Sequence, residues 1–233
     1  MRSMIKAMLG RLGYDIVRTD RSAFAFTAHA RRLGIDLVFD VGANIGQYAL
    51  QLRSSGYAAR IISFEPVIEA YAELARRSRA DPDWTVLNLA LGSEIGEATL
   101  NVGQQTEMSS FHRIRDRHAE LHAWARMGHA QSTSVTRLDE IFDTYAGPDD
   151  RVLLKMDVQG FETEVMAGAR RSLSRIAAIQ MEMAVMPSYS DQPDMLTQVN
   201  FLETAGFRLV DLVNGGRDRE GCLIEVDGFF VRS

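Results

Sequence analysis

The chain has 233 residues, of which 46% are hydrophobic and 24% are charged, and this composition predicts one globular domain with appendages. The formal net charge of −5 argues against a surface that binds nucleic-acid phosphates, so we expect a small-molecule substrate. The single cysteine, Cys222, excludes an internal disulfide and a multi-cysteine zinc site, and it is consistent with a cytoplasmic protein.

Residues 1–33 are predicted to form an N-terminal helical extension. A first amphipathic helix is indicated by the helical spacing of Met4, Ile5, Met8, Leu9 and Leu12. This apolar stretch is too short to span a membrane, and no signal-peptide core follows the first charges. We expect it to pack on the domain or on a neighbouring subunit, as in a homodimer, rather than on a membrane surface. A second helix is expected at about 22–33.

Residues 34–233 are predicted to form the main domain, which begins with a strand, a tight loop and a helix. The apolar run 37–39 ends in Asp40, and a glycine-containing loop follows it. Such a loop binds nucleotide-like ligands in open α/β sheets. The three-glycine dinucleotide motif is absent, and an acid here would repel phosphate but attract ammonium or sulfonium. We therefore expect S-adenosylmethionine to bind at Asp40, Gly42, Ala43, Asn44 and Gly46.

A second acid supports an adenosyl ligand. Residues 60–64 are predicted to form the next strand, and Glu65 and Pro66 end it at about the spacing expected for an acid that binds the ribose hydroxyls. The third strand is predicted at 84–89, and the backbone of Ala90 at its tip is placed against the adenine edge. A plain turn or a helix cap would explain each feature alone, but their combination favours a cofactor site.

The stretch at about 103–134 is predicted to be an inserted lid. It is polar and contains four of the five histidines, and a long insertion in a compact domain commonly covers a site. His118 and His122 could indicate zinc, but the neighbouring acid does not match the protease signature and no third ligand is evident. We expect a solvated helix face there, with His112 and His122 as candidate substrate contacts.

Two further strands are predicted to carry polar residues into the same cleft. In the fourth strand, at 152–157, Lys155 and Asp157 share a face, and Asp157 at the tip either serves the site or caps the next helix. The fifth strand, at 176–183, is apolar apart from Gln180 and Glu182. A buried Glu182 would be costly unless it faced the cleft or a cation.

Four segments, in this order and spacing, resemble the FkbM family of methyltransferases: 39–46, 64–66, 88–92 and 154–162. The resemblance covers roughly residues 36–232 and implies the class I methyltransferase fold. In that α/β fold a Rossmann-like sheet of seven strands, the last antiparallel, has helices on both faces. It also implies O-methylation of a sugar, glycolipid or polyketide-type hydroxyl. Gln159 departs from the family, which often has glutamate there, and the insertion is the least family-like part.

Methyl transfer to an alcohol requires the acceptor oxygen to be aligned and its proton removed. The candidate catalytic residues are Asp157, Glu182 and Lys155; Lys155 is the only lysine of the main domain, and unlike arginine a buried lysine can lose its proton. Carboxylates could also hold Mg²⁺, although their spacing does not define a metal site.

Four other functions can be compared with the sequence. A nucleic-acid amino-methyltransferase would carry an Asn/Asp-Pro-Pro-aromatic tetrad after the fourth strand, and a nicotinamide oxidoreductase would carry the three-glycine loop; neither motif is present. A methyltransferase for another small-molecule acceptor, or a non-catalytic protein that keeps the cofactor fold, stays as the alternative. The presence of both Asp40 and Glu65 disfavours the non-catalytic protein.

Overall fold

The computed structural model describes residues 21–103, 106, 109–112, 127–218 and 220–233. The predicted first helix, His118 and His122 lie outside these residues. The first half contains α1 (Arg21–Leu33), β1 (Leu37–Val41), α2 (Gln47–Ser54), β2 (Arg60–Phe64), α3 (Ile68–Ser78), β3 (Trp84–Leu87), β4 (Ala90–Leu91) and β5 (Gly96–Gly103). The second half contains β6 (Met127–Thr136), α4 (Leu138–Tyr145), β7 (Val152–Met156), α5 (Glu162–Ala167), β8 (Ile176–Ala184), α6 (Met195–Thr204), β9 (Phe207–Asn214) and β10 (Glu225–Arg232).

The main sheet has seven strands in the order β3-β2-β1-β7-β8-β10-β9. Strand β10 is antiparallel to both of its neighbours, whereas the other pairs are parallel. The predicted fold class is therefore confirmed. The chain first moves outward from β1 to β3 and later returns to β7 beside β1, so the carboxyl ends of β1 and β7 meet at the switch point where α/β proteins bind ligands.

The central strands are buried on both faces, which explains their nearly continuous apolar sequences. On one face Phe39 packs against Phe142 of α4, with ring centroids 5.4 Å apart. On the other face Phe26 of α1 stacks on Phe229 of β10 at 5.5 Å. The described part of the predicted extension thus contributes to the domain core. No helix among the described residues is long and apolar enough to cross a membrane.

A second sheet, in the order β4-β6-β5, lies beside the site. The third strand of the main sheet ends at Leu87, two residues before the predicted end, because Ala90 and Leu91 pair instead with β6. Strand β5 lies directly before the predicted insertion. Residues 127–134 of the predicted lid belong to β6 and pair with β5, so this part of the insertion is sheet.

Candidate active site

The loop after β1 touches the loop after β7 through Gly42. Its φ is +74°, and a Cβ atom added there would lie 1.9 Å from the carbonyl oxygen of Asp157. The amide groups of Gly42 and Ala43 both donate to the carbonyl of Phe64, at 3.1 and 3.0 Å. Glycine is therefore needed at position 42 both for its backbone conformation and for the close approach of the two loops.

Glu65 organises the same loop from the end of β2. Its Oε2 accepts a hydrogen bond of 2.7 Å from the Asn44 amide, and its Oε1 accepts one of 2.7 Å from the Val67 amide. The residue is only 5% exposed. Burial raises the pKa of Glu65 to about 7, although these hydrogen bonds and the charge of Lys155 act in the opposite direction.

Asp40 lies elsewhere than the sequence predicted. Its side chain is fully buried and does not border the cavity. One oxygen accepts a hydrogen bond of 3.1 Å from Ser63 Oγ, and the other lies 3.1 Å from Lys155 Nζ. The expected carboxylate facing a cationic ligand is therefore an internal partner of Lys155. The physical reason is register, because Asp40 pairs directly with Lys155 across β1 and β7.

Lys155 is held as a cation. Its Nζ also donates to the carbonyl of Gly42 at 3.1 Å and lies 3.7 Å from Asp157 Oδ2. Burial lowers the pKa of Lys155, but the charges of Asp40 and Asp157 outweigh it, so the pKa is raised. The prediction that Lys155 could serve as a neutral base is therefore not supported by its surroundings.

A cavity of about 590 Å³ lies at the carboxyl ends of these strands. It is lined by residues of the predicted cofactor site, namely Gly42, Ala43, Asn44, Glu65, Pro66 and Ala90. Gly46 is not among the lining residues; it precedes α2 with φ +88°, against Trp84. The predicted catalytic residues Lys155, Asp157 and Glu182 also line it. One cavity thus connects both predicted groups.

The two predicted carboxyl groups are bridged by Gln159. Its Nε2 donates to Asp157 Oδ1 at 3.2 Å and to Glu182 Oε1 at 3.5 Å. The Asp157 side chain is 42% exposed. It does not cap the next helix, whose N-cap is Phe161. Burial, followed by the charges of Asp157 and Glu225, raises the pKa of Glu182 well above its usual value.

Several cavity residues were missed by the sequence analysis. Tyr189 donates from its hydroxyl to Gln159 Oε1 at 2.7 Å, and Tyr48 donates to Gln180 Oε1 at 2.7 Å. Glu225 and Asp227 reach the cavity from β10, beside β8. Their alternating positions in a strand were the available signal, because residues two apart share a face.

The described part of the insertion borders this site. Thr106 is hydrogen-bonded to the side chain of Asn44 at 3.3 Å, and Ser110 Oγ donates to the carbonyl of Gln159 at 2.7 Å. Phe111 packs on Phe161 with ring centroids 4.5 Å apart. His112, a predicted substrate contact, is not among the cavity-lining residues and lies 3.9 Å from Glu164.

The predicted Mg²⁺ site receives no support from the arrangement of ligands. Within the described ranges, the group of acids, histidines and cysteines whose ligand atoms converge within 4.8 Å is Asp218, Glu220 and Cys222. These residues lie in the loop between β9 and β10. Asp157 and Glu182 do not belong to such a group.

The sequence of this chain is similar to known methyltransferases. Residues 40–209 match the family model of the methyltransferase FkbM domain. The chain is also 27% identical, over 165 residues, to the 2-O-methyltransferase NoeI of Sinorhizobium fredii; the match covers 67% of this chain and 64% of that relative.

Solved structures show the same fold. Magnesium protoporphyrin IX methyltransferase from Synechocystis PCC 6803 with bound SAM has a TM-score of 0.50 at 15% identity, covering 91% of this chain and 77% of that one. The same enzyme with bound SAH has a TM-score of 0.50 at 11% identity, covering 100% of both chains. Since the family model matches well over half of the sequence, this protein belongs to the FkbM family of methyltransferases.

Proposed function

We propose that this protein transfers the methyl group of S-adenosylmethionine to a hydroxyl group of a sugar-type acceptor. The observation that carries this proposal is that Glu65 and Asp157 line the same cavity. A methyl donor and an acceptor must meet in line for the transfer, and a shared cavity brings their reacting atoms together. The proposal also extends to the hydroxyls of glycolipid and polyketide-type acceptors.

The part of the cavity lined by Glu65, Pro66 and Ala90 fits the adenosyl part of the donor. Each oxygen of Glu65 holds one backbone amide and has a lone pair left for a ribose hydroxyl. Pro66 and Ala90 add apolar surface beside it for the adenine ring. The donor supplies a methyl group already activated by its sulfonium, so the protein mainly has to orient the acceptor and remove its proton.

Asp157 is the group that we propose removes that proton. The acceptor oxygen forms a bond to the methyl carbon while the carbon–sulfur bond breaks, and the electron pair stays on sulfur. The hydroxyl proton passes to the carboxylate of Asp157, which is exposed to the cavity and oriented by Gln159. Glu182 is the less suitable base of the two, because burial raises its pKa and the charge of Asp157 raises it further; we propose that it binds the acceptor by a hydrogen bond.

The polar side chains that line the cavity support a hydroxyl-rich acceptor. Amide and hydroxyl groups that can bind several hydroxyls are contributed by Gln159, Gln180, Tyr189 and Gln192. The 27% identical 2-O-methyltransferase of Sinorhizobium fredii supports transfer to oxygen.

The test measures methyl incorporation from labelled S-adenosylmethionine into a panel of free sugars, glycolipids and polyketide alcohols, with amines and carboxylic acids as matched acceptors. We expect labelled ether products with at least one sugar-type acceptor. Calorimetry in parallel should detect binding of S-adenosylmethionine but not of NAD. A protein that binds no S-adenosylmethionine, or that labels only amines or carboxylic acids, would refute the proposed function.

A further inference from the structure

Glu162, the first residue of α5, is a buried acid that the proposed reaction does not use. It is 1% exposed, and its Oε1 accepts hydrogen bonds from the backbone amides of Val158 at 3.1 Å and Gly160 at 3.3 Å. Its other oxygen has no hydrogen-bond partner among the described residues. A buried carboxyl is costly, so its placement behind this loop calls for a compensating contribution.

The loop that Glu162 binds carries the acceptor side of the site. Gln159 has φ +54° and Gly160 has φ +94°, so two successive residues adopt the left-handed conformation. That conformation directs the side chain of Gln159 toward Asp157, Glu182 and Tyr189. A non-glycine residue in this region is uncommon and persists where its surroundings hold it in place.

We infer that Glu162 is a positioning residue, whose side chain fixes the loop 157–160 so that Asp157 and Gln159 face the acceptor. This role rests on the proposed function. The hydrogen-bonded Oε1 atom carries it, because a single oxygen collects the two amides on either side of Gln159. No contact of Glu162 with donor or acceptor is required, since Glu162 is not among the residues that line the cavity of about 590 Å³.

Reach and charge can be separated by substitution. Glu162→Gln keeps the length of the side chain and an oxygen acceptor but removes the charge. Glu162→Asp keeps the charge but shortens the side chain by one methylene, so the acceptor no longer reaches both amides. If the hydrogen bonds matter, the glutamine variant works and the aspartate variant does not; if the charge matters, the order reverses.

The experiment compares steady-state kinetics of the full chain with Glu162→Gln and Glu162→Asp, using the exposed acid Glu203 of α6, changed in the same two ways, as the control. We expect kcat of Glu162→Gln to stay within about threefold of the parent, and kcat of Glu162→Asp to fall about tenfold or more. The KM for S-adenosylmethionine should change by less than about twofold in both variants, because the hydrogen bonds of Glu65 with the Asn44 and Val67 amides are kept.

Hydrogen exchange of the Val158 and Gly160 amides provides a measurement that does not depend on turnover. It should be slow in the parent and in Glu162→Gln, and faster in Glu162→Asp. Equal kcat in all three proteins, a glutamine variant as impaired as the aspartate variant, or unprotected amides in the parent would overturn the inference. If Glu162→Asp does not fold, amide protection in Glu162→Gln decides: its loss overturns the inference. A parent that transfers no methyl group refutes the proposed function alone, since the exchange experiment still tests the loop.

Discussion

At the scale of single residues, the site is governed by which carboxyl groups have partners. Asp40 has no exposed surface, and it is paired with Lys155, so both charges are compensated internally. Removing Lys155 would leave the Asp40 charge buried and unpaired, which is strongly destabilising, whereas removing Asp40 would leave Lys155 with Asp157 3.7 Å away. Asp157 differs, because its Oδ2 lies 3.7 Å from Lys155 while the side chain is 42% exposed and borders the cavity. This difference is why we propose Asp157, and not Asp40 or Lys155, as the group that takes the acceptor proton.

The first prediction concerns Asp157. We expect Asp157→Ala to lower kcat about 100-fold or more, because the acceptor loses the group that takes its proton. The melting temperature should change little, since the side chain is 42% exposed. Asp143→Ala serves as the control, because Asp143 is 85% exposed and pairs with Arg175 on the surface. Steady-state rates and thermal unfolding of both variants check this; normal turnover in Asp157→Ala would remove Asp157 from the catalytic set.

The second prediction concerns Glu65. In Glu65→Gln one amide donor would have to face the amide of Asn44 or Val67, both of which now donate to the carboxylate. Lost acceptor capacity for the ribose hydroxyls adds to this effect. We expect affinity for S-adenosylmethionine to fall about tenfold or more, the size expected for hydrogen bonds to a charged group. Calorimetry measures it, with Glu69→Gln on the exposed side of α3 as the control. Unchanged affinity in Glu65→Gln would show that Glu65 does not contact the donor.

At the scale of elements, the site depends on two loops in direct contact, one after β1 and one after β7. The N–H of Gly42 binds the first loop to β2 by donating to the carbonyl of Phe64. The α-carbon of Gly42 faces the carbonyl of Asp157. The backbone of the loop after β1 and that of the loop after β7 thus pack together at Gly42 and Asp157 without a side chain between them. A side chain at position 42 would therefore displace the Asp157 carbonyl, because protein interiors are close-packed.

The third prediction follows from this contact. Gly42→Ala should separate the two loops, because its Cβ would lie 1.9 Å from the Asp157 carbonyl oxygen at a φ of +74°. We expect a loss of about 2 kcal/mol or more in the free energy of unfolding, together with weaker binding of S-adenosylmethionine. Gly147→Ala is the control, because the Cβ there would approach Asp150 no closer than 3.4 Å. Urea denaturation and calorimetry compare the two, and a Gly42→Ala protein as stable as the control would contradict the expected clash.

At the scale of the whole molecule, the sequence was informative where a pattern is local. The buried parallel strands follow from apolar runs that end in polar residues, as at Glu65 and Asp157, and α6 begins after the cap residue Asp194. The partner of a buried charge, by contrast, can lie far away in the sequence and is not indicated by any local pattern. Asp40 and Lys155 are far apart in sequence, and only the register of β1 with β7 brings them together. The contact of Ser110 with Gln159 was hidden for the same reason.

The folded domain also gathers acids that resist ionisation. Burial raises the pKa of Glu65 and of Glu162 to about 7 and that of Asp227 to about 6. Burial also raises the pKa of Glu182 and of Glu225. In the unfolded chain these groups ionise near their ordinary values of about 4 to 4.5. Between those values and about pH 7 the native state therefore holds more protons than the unfolded state.

The fourth prediction is the pH dependence that results. Stability falls with rising pH wherever the native state binds more protons, so the free energy of unfolding should decrease from pH 5 to pH 7.5. Asp194, whose pKa the Thr197 amide lowers, acts in the opposite direction only at more acidic pH. Glu162→Gln cannot ionise, so it should flatten the decrease by about 1 kcal/mol or more, whereas Glu69→Gln should leave it unchanged. Urea denaturation at both pH values tests this, and a parent whose stability stays level or rises across the interval would contradict the raised pKa values of these acids.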